Sequence, residues 1–286
     1  MNDYPVIALD VGGSSVKSAL VATGQQIVGK VCAEDIESGA TADMILNTLA
    51  AIITGHLDKV KTVRGIAFAF PGPFDYEQGI CLIQNQAKFD ALYGINVGAR
   101  LKKILRMPAL EMKYRNDAEA AILGEACYGA GTSYSRVIGL TLGTGLGSAF
   151  VADGRIITKG VDVPSNGWLY SFPFDNQRAD DVFSTRGLLA RLRKRGIHAT
   201  DIASALQKGD KDSNALEASF ASFGSDLGMF LNPFVADFCA DGVLVTGGIS
   251  EVWNRFAPSL IGSLSVPVLR GALGNRAALL GAADLY

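Results

Sequence analysis

One short layout occurs twice in this sequence. From Val6 to Asp10 an apolar run ends at Gly12 and Gly13, a second run spans Val16 to Val21, and Thr23-Gly24 separates it from a third, Gln25 to Val31. Apolar runs of this length stopped by glycine read as strands joined by turns, a β-meander. The layout returns at Val137 to Ile157, where Val137, Ile138, Leu140 and Gly143 match Val6, Ile7, Leu9 and Gly12. Each copy is followed by further helix and strand pattern, so the chain reads as a duplicated α/β core.

After the first copy, Ala42 to Leu57 has helical apolar spacing at Ile45, Leu49, Ile52 and Ile53, and Gly65 to Phe70 is a short buried strand stopped by Pro71-Gly72-Pro73. Val97 to Leu105 reads as a helix and Ala109 to Lys113 as a strand. After the second copy, Val182 to Arg195 and Ala215 to Phe230 read as helices, Gly242 to Val245 as a strand ending at Gly247-Gly248, and Arg276 to Leu285 as a closing helix. Helices alternating with buried strands indicate an α/β fold. No linker marks a boundary, which is expected near Tyr114.

Composition removes several classes. Lys and Arg number 26 against 28 Asp and Glu, leaving no cationic excess for a nucleic-acid backbone. No stretch reaches the roughly 18 apolar residues that span a bilayer, and MNDYPV does not open like an export signal. The expectation is a soluble, cytoplasmic protein without a nucleic-acid or membrane partner. Cys32, Cys81, Cys127 and Cys239 form no CxxC pair, so they are expected to be reduced, buried thiols. Glycine supplies 33 of 286 residues, well above the roughly 7% typical of proteins, as suits backbone brought close to a ligand.

Three glycine segments and one acidic segment can carry chemistry. In LDVGGSSVK (Leu9 to Lys17), Gly12 and Gly13 let backbone N–H groups approach an anion, Ser14 and Ser15 add hydroxyls, and Asp10 suits a hydrated Mg²⁺. An ordinary hairpin turn capped by Asp10 explains the segment equally well. A strand follows it, and it is not a Walker loop. LTLGTGLGS (Leu140 to Ser148) places Gly143, Thr144 and Gly145 at the matching position, so the two turns together suit one nucleotide's phosphates, gripped from both sides of a cleft. In YRNDAEAAILGEA (Tyr114 to Ala126), Asp117 falls at a helix start, where local N–H groups are expected to keep it ionised as an acceptor for a hydroxyl proton. A plain helix cap is the alternative. LVTGGIS (Leu244 to Ser250) offers Gly247 and Gly248 as a flat seat for an adenosine. RLRKR (Arg191 to Arg195) reads as a solvated helix face, and neither His56 nor His198 reads as a catalytic base.

Taken together these segments resemble the ROK family of sugar kinases, within the superfamily of sugar kinases, Hsp70 ATPases and actin. LDVGGSSVK and LTLGTGLGS resemble its two phosphate motifs, LVTGGIS its adenosine motif, and GIAFAFPGPF with NDAEAAILGEA its sugar-side motifs. The resemblance implies two ribonuclease-H-like domains flanking a cleft, residues 1–114 and 115–275, with the closing helix 276–286 a candidate to pack on the first. It implies ATP and Mg²⁺ in the cleft and transfer of a phosphoryl group to a hexose hydroxyl. Asp117 is then the base, and Asp10 positions the metal through water. Gly12, Gly13, Ser14, Lys17, Gly143, Thr144, Gly145, Gly247 and Gly248 bind the nucleotide, while Gly72, Asn85 and Asn116 touch the sugar. A homodimer is the usual assembly of such kinases.

The chain departs from the family pattern at Val161 to Phe183, which has no Cys, His or Glu where typical members carry a sugar-binding Glu and His and a cysteine-rich zinc motif. Structural zinc is therefore not expected, and Asn166, Trp168 or Tyr170 are candidates for the missing sugar contacts. Relatives without zinc include polyphosphate-dependent glucokinases, so the donor stays open between ATP and polyphosphate. A sugar-sensing regulator is the alternative from another class; with the first strand beginning at about Tyr4, its DNA-binding segment is not expected. An ATPase without a sugar acceptor is the third.

Overall fold

In the computed structural model, which describes residues 4–209 and 213–286, strands pair in the same order twice. The elements run β1 (Val6–Val11), β2 (Ser15–Ala22), β3 (Gln26–Asp35), α1 (Ala42–Leu57), β4 (Gly65–Phe70), β5 (Phe74–Asp75), β6 (Ile80–Cys81), α2 (Val97–Leu105), β7 (Met112–Asn116) and α3 (Asp117–Tyr128). They continue as β8 (Arg136–Leu142), β9 (Leu146–Ala152), β10 (Arg155–Ile157), β11 (Pro173–Phe174), β12 (Gln177–Arg178), α4 (Ala179–Phe183), α5 (Thr185–Lys194) and α6 (Ile202–Gly209). The last are α7 (Ser213–Phe238), β13 (Gly242–Thr246), α8 (Trp253–Gly262), β14 (Val268–Arg270) and α9 (Ala277–Ala283). One unit takes residues up to Gly124 together with Asn275–Tyr286; the other is Glu125–Gly274. A boundary at Tyr114 would cut β7, whereas the division falls inside α3.

The first unit holds a five-stranded sheet in the order β3-β2-β1-β4-β7. β1, β2 and β3 form an antiparallel meander, and β4 and β7 add parallel to β1. Side chains alternate across a strand, and here the two faces differ in size. Ile7, Leu9 and Val11 join Ile66, Phe68 and Phe70 in one hydrophobic cluster with Ile45, Leu49 and Ile53 of α1. The other face carries Ala8, Ala67 and Ala69, and on it α9 packs against β1 and β4. The C-terminus is pinned there: Tyr286 donates to the Ile66 carbonyl, Lys113 to that of Leu285, and Arg115 to that of Gly281.

The second unit repeats the order as β10-β9-β8-β13-β14. Val137 pairs with Val151 and Gly242, as Val6 pairs with Val21 and Gly65. The match of Val137 to Val6 in sequence is therefore a match in three dimensions. The fold is α/β, with the ribonuclease-H-like, actin-type order in each unit. α5, α7 and α8 bury Leu188, Phe220, Phe223 and Phe256 with Ile138, Leu140 and Val245.

Local differences from the sequence reading have physical causes. Residues 109–111 are not strand, because the chain turns after α2: Arg106 is left-handed, and the Leu110 N–H donates to the Met107 carbonyl. The expected helix 182–195 breaks at Ser184, whose backbone is extended. Helix α7 runs to Phe238 through Pro233, since burial of Val235 and Phe238 outweighs the backbone bond that a proline removes. Cys81 is buried, but Cys32 and Cys127 are half-buried and Cys239 is exposed, so the expectation of four buried thiols is corrected. Arg191 is also no solvated residue: it pairs with Asp226 at 2.5 Å and ties α5 to α7, leaving Arg193, Lys194 and Arg195 exposed.

Helices α3 and α9 approach backbone to backbone. A Cβ on Gly124 would lie 2.0 Å from the Ala277 carbonyl oxygen, and one on Gly281 would lie 1.9 Å from that of Ala120. Gly281→Ala is therefore expected to lower unfolding free energy by about 1–3 kcal/mol, the usual cost of overpacking. Gly55→Ala in α1, where the added methyl meets nothing within 4 Å, should instead add about 0.5–1 kcal/mol. Urea unfolding of both variants checks the contrast, and equal midpoints would contradict the close helix contact.

Candidate active site

Three parallel strands of the first unit, β1, β4 and β7, end at Asp10-Gly13, Pro71-Gly72 and Asn116-Asp117. Carboxyl ends of parallel strands are where α/β sheets collect ligand-binding groups, and the residues singled out from sequence in this unit gather there. Asp10 stands opposite Lys17 in the β1–β2 register, and their charges meet at 3.6 Å. Asp10 is thus engaged by a lysine, and among the described residues no turn N–H bonds to it. The turn itself is closed by the Gly12 N–H donating to the Ser15 carbonyl at 3.0 Å. Gly13 and Ser14 are exposed at its tip.

Strand β7 passes into α3 with no residue between them. Asn116, not Asp117, does the main capping: its Oδ1 accepts from the N–H groups of Ala118 at 3.0 Å and Glu119 at 3.2 Å. An asparagine here satisfies donors that a helix start otherwise leaves open. The Asn116 amide donates to the Tyr76 hydroxyl at 3.0 Å, which donates to the Phe70 carbonyl at 3.1 Å. Gly72 borders this chain of bonds, since a Cβ there would lie 3.1 Å from the Tyr76 oxygen and 3.7 Å from the Asn116 amide. Gly72, Asn116 and Asp117 therefore share one corner, while Asn85 is exposed in a left-handed turn.

The electrostatics correct one expectation. The Ala118 N–H, 2.9 Å from Asp117 Oδ1, does favour the anion. Burial nevertheless dominates, and the Asp117 carboxyl is held above the usual range despite that N–H and the Lys88 charge. Asp10 is also raised, first by burial and further by Asp117, with Lys17 opposing. The two carboxylates are near enough to feel each other, and each has one lysine.

In the second unit, the glycine turn after β8 and Gly247-Gly248 after β13 lie at adjacent strand ends, where a Cβ on Gly247 would come within 2.5 Å of the Leu142 carbonyl oxygen. The turn is one residue shorter than its counterpart, with Leu142 opposite Leu146 where Val11 stands opposite Val16. Two residues unremarked in the sequence hold it. Thr185 donates its N–H and hydroxyl to the Gly143 carbonyl at 2.7 and 2.9 Å, and Asp180 accepts the Leu146 N–H at 2.7 Å. Thr144 is exposed at the tip, and open space surrounds the Cβ position of Gly248. In the segment that departs from the family pattern, buried Ser148 bonds the Gly167 carbonyl and the Leu169 N–H. That holds Asn166 exposed and Trp168 with its ring centroid 6.0 Å from that of Tyr170.

Sequence reasoning also passed over Tyr76 and Lys88. Tyr76 had only its nearness to the Pro-Gly-Pro turn as a signal, and Lys88 is a single lysine in a polar stretch.

The pattern of the ROK family matches residues 6–169. A glucokinase of Halalkalibacterium halodurans is 30% identical over 164 residues, 55% of this chain and 47% of that protein, so the match spans about half of the relative. A polyphosphate glucokinase of Mycobacterium leprae is 26% identical over 279 residues, 96% of this chain and 72% of the relative. A solved ROK family glucokinase from Streptomyces griseus, in complex with glucose and AMPPNP, has the same fold with a TM-score of 0.75 at 21% identity, covering 98% of each chain.

The direction of the Asp117 shift sets a stability test. A carboxyl that binds its proton more tightly in the folded chain favours folding below the ordinary carboxylate range. That contribution is lost as pH rises through the folded-state value. Asp117→Asn cannot ionise and keeps an oxygen for the Ala118 N–H. It is expected to melt above wild type at about pH 8 and to lose that advantage near pH 3.5. Calorimetric scans at both pH values read this, and a variant less stable at the higher pH would contradict the burial cost.

Proposed function

The chain belongs to the ROK family, and on that premise we propose that it transfers the terminal phosphoryl group of ATP to a hydroxyl of a hexose or hexose derivative. The observation that carries the reading is Asp117: a desolvated carboxylate fixed at a strand-to-helix junction, beside a glycine turn and a second carboxylate. A carboxylate whose proton affinity is raised is better matched to accept a proton from a hydroxyl. The acceptor oxygen forms a bond to the terminal phosphorus as the bridging P–O bond breaks. The bonding pair leaves with ADP, and the hydroxyl proton passes to Asp117.

The remaining roles follow the chemistry of each group. Asn116, oriented by Tyr76, offers its amide to the acceptor sugar, with Gly72 leaving room and Asn85 as a further contact. Backbone N–H groups of Gly12, Gly13 and Ser14, with Lys17, bind donor phosphates, as do Gly143, Thr144 and Gly145 of the other unit. Gly247 and Gly248 take the adenosine. Among the described residues no group of three or more His, Cys, Asp or Glu could hold a metal. Two neighbouring carboxylates suit Mg²⁺, which usually keeps several waters and binds through one or two carboxylates and substrate phosphates. Asp10 would hold it through water, and the ion would neutralise phosphate charge.

Polyphosphate is the second donor to test, because the relative named for that donor aligns over 96% of this chain. A screen of hexoses, N-acetylhexosamines and hexosamines with each donor, read as sugar phosphate formed, is expected to identify one preferred acceptor. No product from either donor with any sugar would end the reading. With that acceptor, Asp117→Asn should lower kcat by about 10²–10⁴-fold, the range for removal of a general base. Sugar binding by calorimetry should persist, and unchanged kcat would remove Asp117 from the role.

A further inference from the structure

Lys88 stands in a loop built with unusual backbone. Asn85, Ala87 and Phe89 have φ of 59°, 57° and 57°, so two left-handed residues without glycine's freedom flank the lysine. Such conformations are sterically costly and persist only where the surroundings impose them. The Asp90 carboxylate accepts the N–H groups of Gln86 at 3.1 Å and Ala87 at 3.2 Å. The Phe89 N–H donates to the Ser38 carbonyl at 2.7 Å, and the Phe89 ring is fully buried, 5.6 Å from that of Phe70. These ties direct the Lys88 stem toward the first glycine turn, where its Cδ lies 3.7 Å from the position a Cβ would take on Gly13.

The side chain is half-buried, yet Lys88 joins no ion pair among the described residues. With no carboxylate of the described residues within ion-pair distance, the ammonium is available to an incoming anion. We propose that Lys88 is a catalytic cation that contacts the phosphoryl group in transit between the Gly12–Ser14 turn and Asp117, an inference that rests on the phosphotransfer reading above. Its positive charge already acts on Asp117, one of the influences opposing burial there. In the transfer, the acceptor O–P bond forms, the donor P–O bond breaks with its electron pair going to the leaving phosphate, and the proton goes to Asp117. Lys88 takes no part in the proton transfer and forms no covalent bond. Its contribution is charge placed where the phosphoryl oxygens need it, as in other phosphoryl-transfer sites.

Lys88→Met and Lys88→Gln remove the charge and keep most of the stem, and Lys88→Arg restores a charge. With the acceptor found in the screen, both neutral variants should lose about 10²–10³-fold in kcat, the scale for one transition-state charge contact. KM for the sugar should hold, and Lys88→Arg should recover part of the rate. Wild-type kcat in a folded neutral variant would overturn the assignment. Binding of inorganic tripolyphosphate, followed by calorimetry, needs no turnover. It should weaken about tenfold without the charge, and equal binding to wild type and Lys88→Met would also overturn it. If wild type phosphorylates no sugar, the phosphotransfer reading fails, while the tripolyphosphate comparison still decides whether Lys88 meets an anion.

Discussion

A strand that becomes a helix without an intervening residue fixes what stands at the junction. Strand β7 is held by β4 through the Phe70–Asn116 pairing, and α3 is held by α9 through Gly124 and Gly281. Asn116 must therefore serve as both last strand residue and helix cap. Its side-chain oxygen is committed to helix N–H groups and its amide is turned toward Tyr76. Asp117 follows in the first helical turn, displaced from the capping role and half-buried within electrostatic reach of Asp10. The candidate base is positioned by the fold's main joint, and few of its own bonds are needed to keep it there.

That joint also explains why the C-terminal residues belong with the N-terminal sheet. The face of β1 and β4 that carries Ala8, Ala67 and Ala69 is too shallow to form a core by itself, and α9 covers it with a sequence rich in alanine. Small side chains on both partners let the elements approach closely, at the cost of tolerance: one added methyl at Gly124 or Gly281 has nowhere to go. The large-residue face needs no such precision, because Phe68, Phe70 and Phe89 fill space around α1 and α2 with apolar area.

Most of the strand framework was legible from sequence because it is written in local signals. The limits of α1, β4 and α2 follow from apolar spacing and turn residues, and the repeat gave the correct register from Val6, Ile7, Leu9 and Gly12 alone. What escaped depends on contacts far apart in the chain. Helix α8 has an apolar stripe at Trp253, Phe256, Ala257 and Leu260, but Pro258 inside it reads as a helix breaker, and its burial against α7 overrides that local signal. Ser184 breaks a helix that periodicity runs straight through, since its neighbour Thr185 is drawn to the Gly143 carbonyl. The carboxylates Asp10 and Asp117 were legible as residue types at strand ends. Their raised proton affinity was not, because it comes from burial by segments distant in sequence, and no local N–H pattern reports that.

Charge balance across the first-unit site has a consequence for the proposed reaction. Asp10 has Lys17, Asp117 has the field of Lys88, and the four groups sum to zero when both carboxyls are ionised. Burial already works against both anions. A polyphosphate tail arriving beside them adds several negative charges, which would raise both carboxyls further, while Lys88, in no ion pair among the described residues, offsets part of that charge. A divalent cation held by Asp10 through water would supply positive charge there and favour the ionised form of Asp117. Positive charge brought to the site would favour the same carboxylate form that burial disfavours, which ties the ionisation of Asp117 to the charge placed around it.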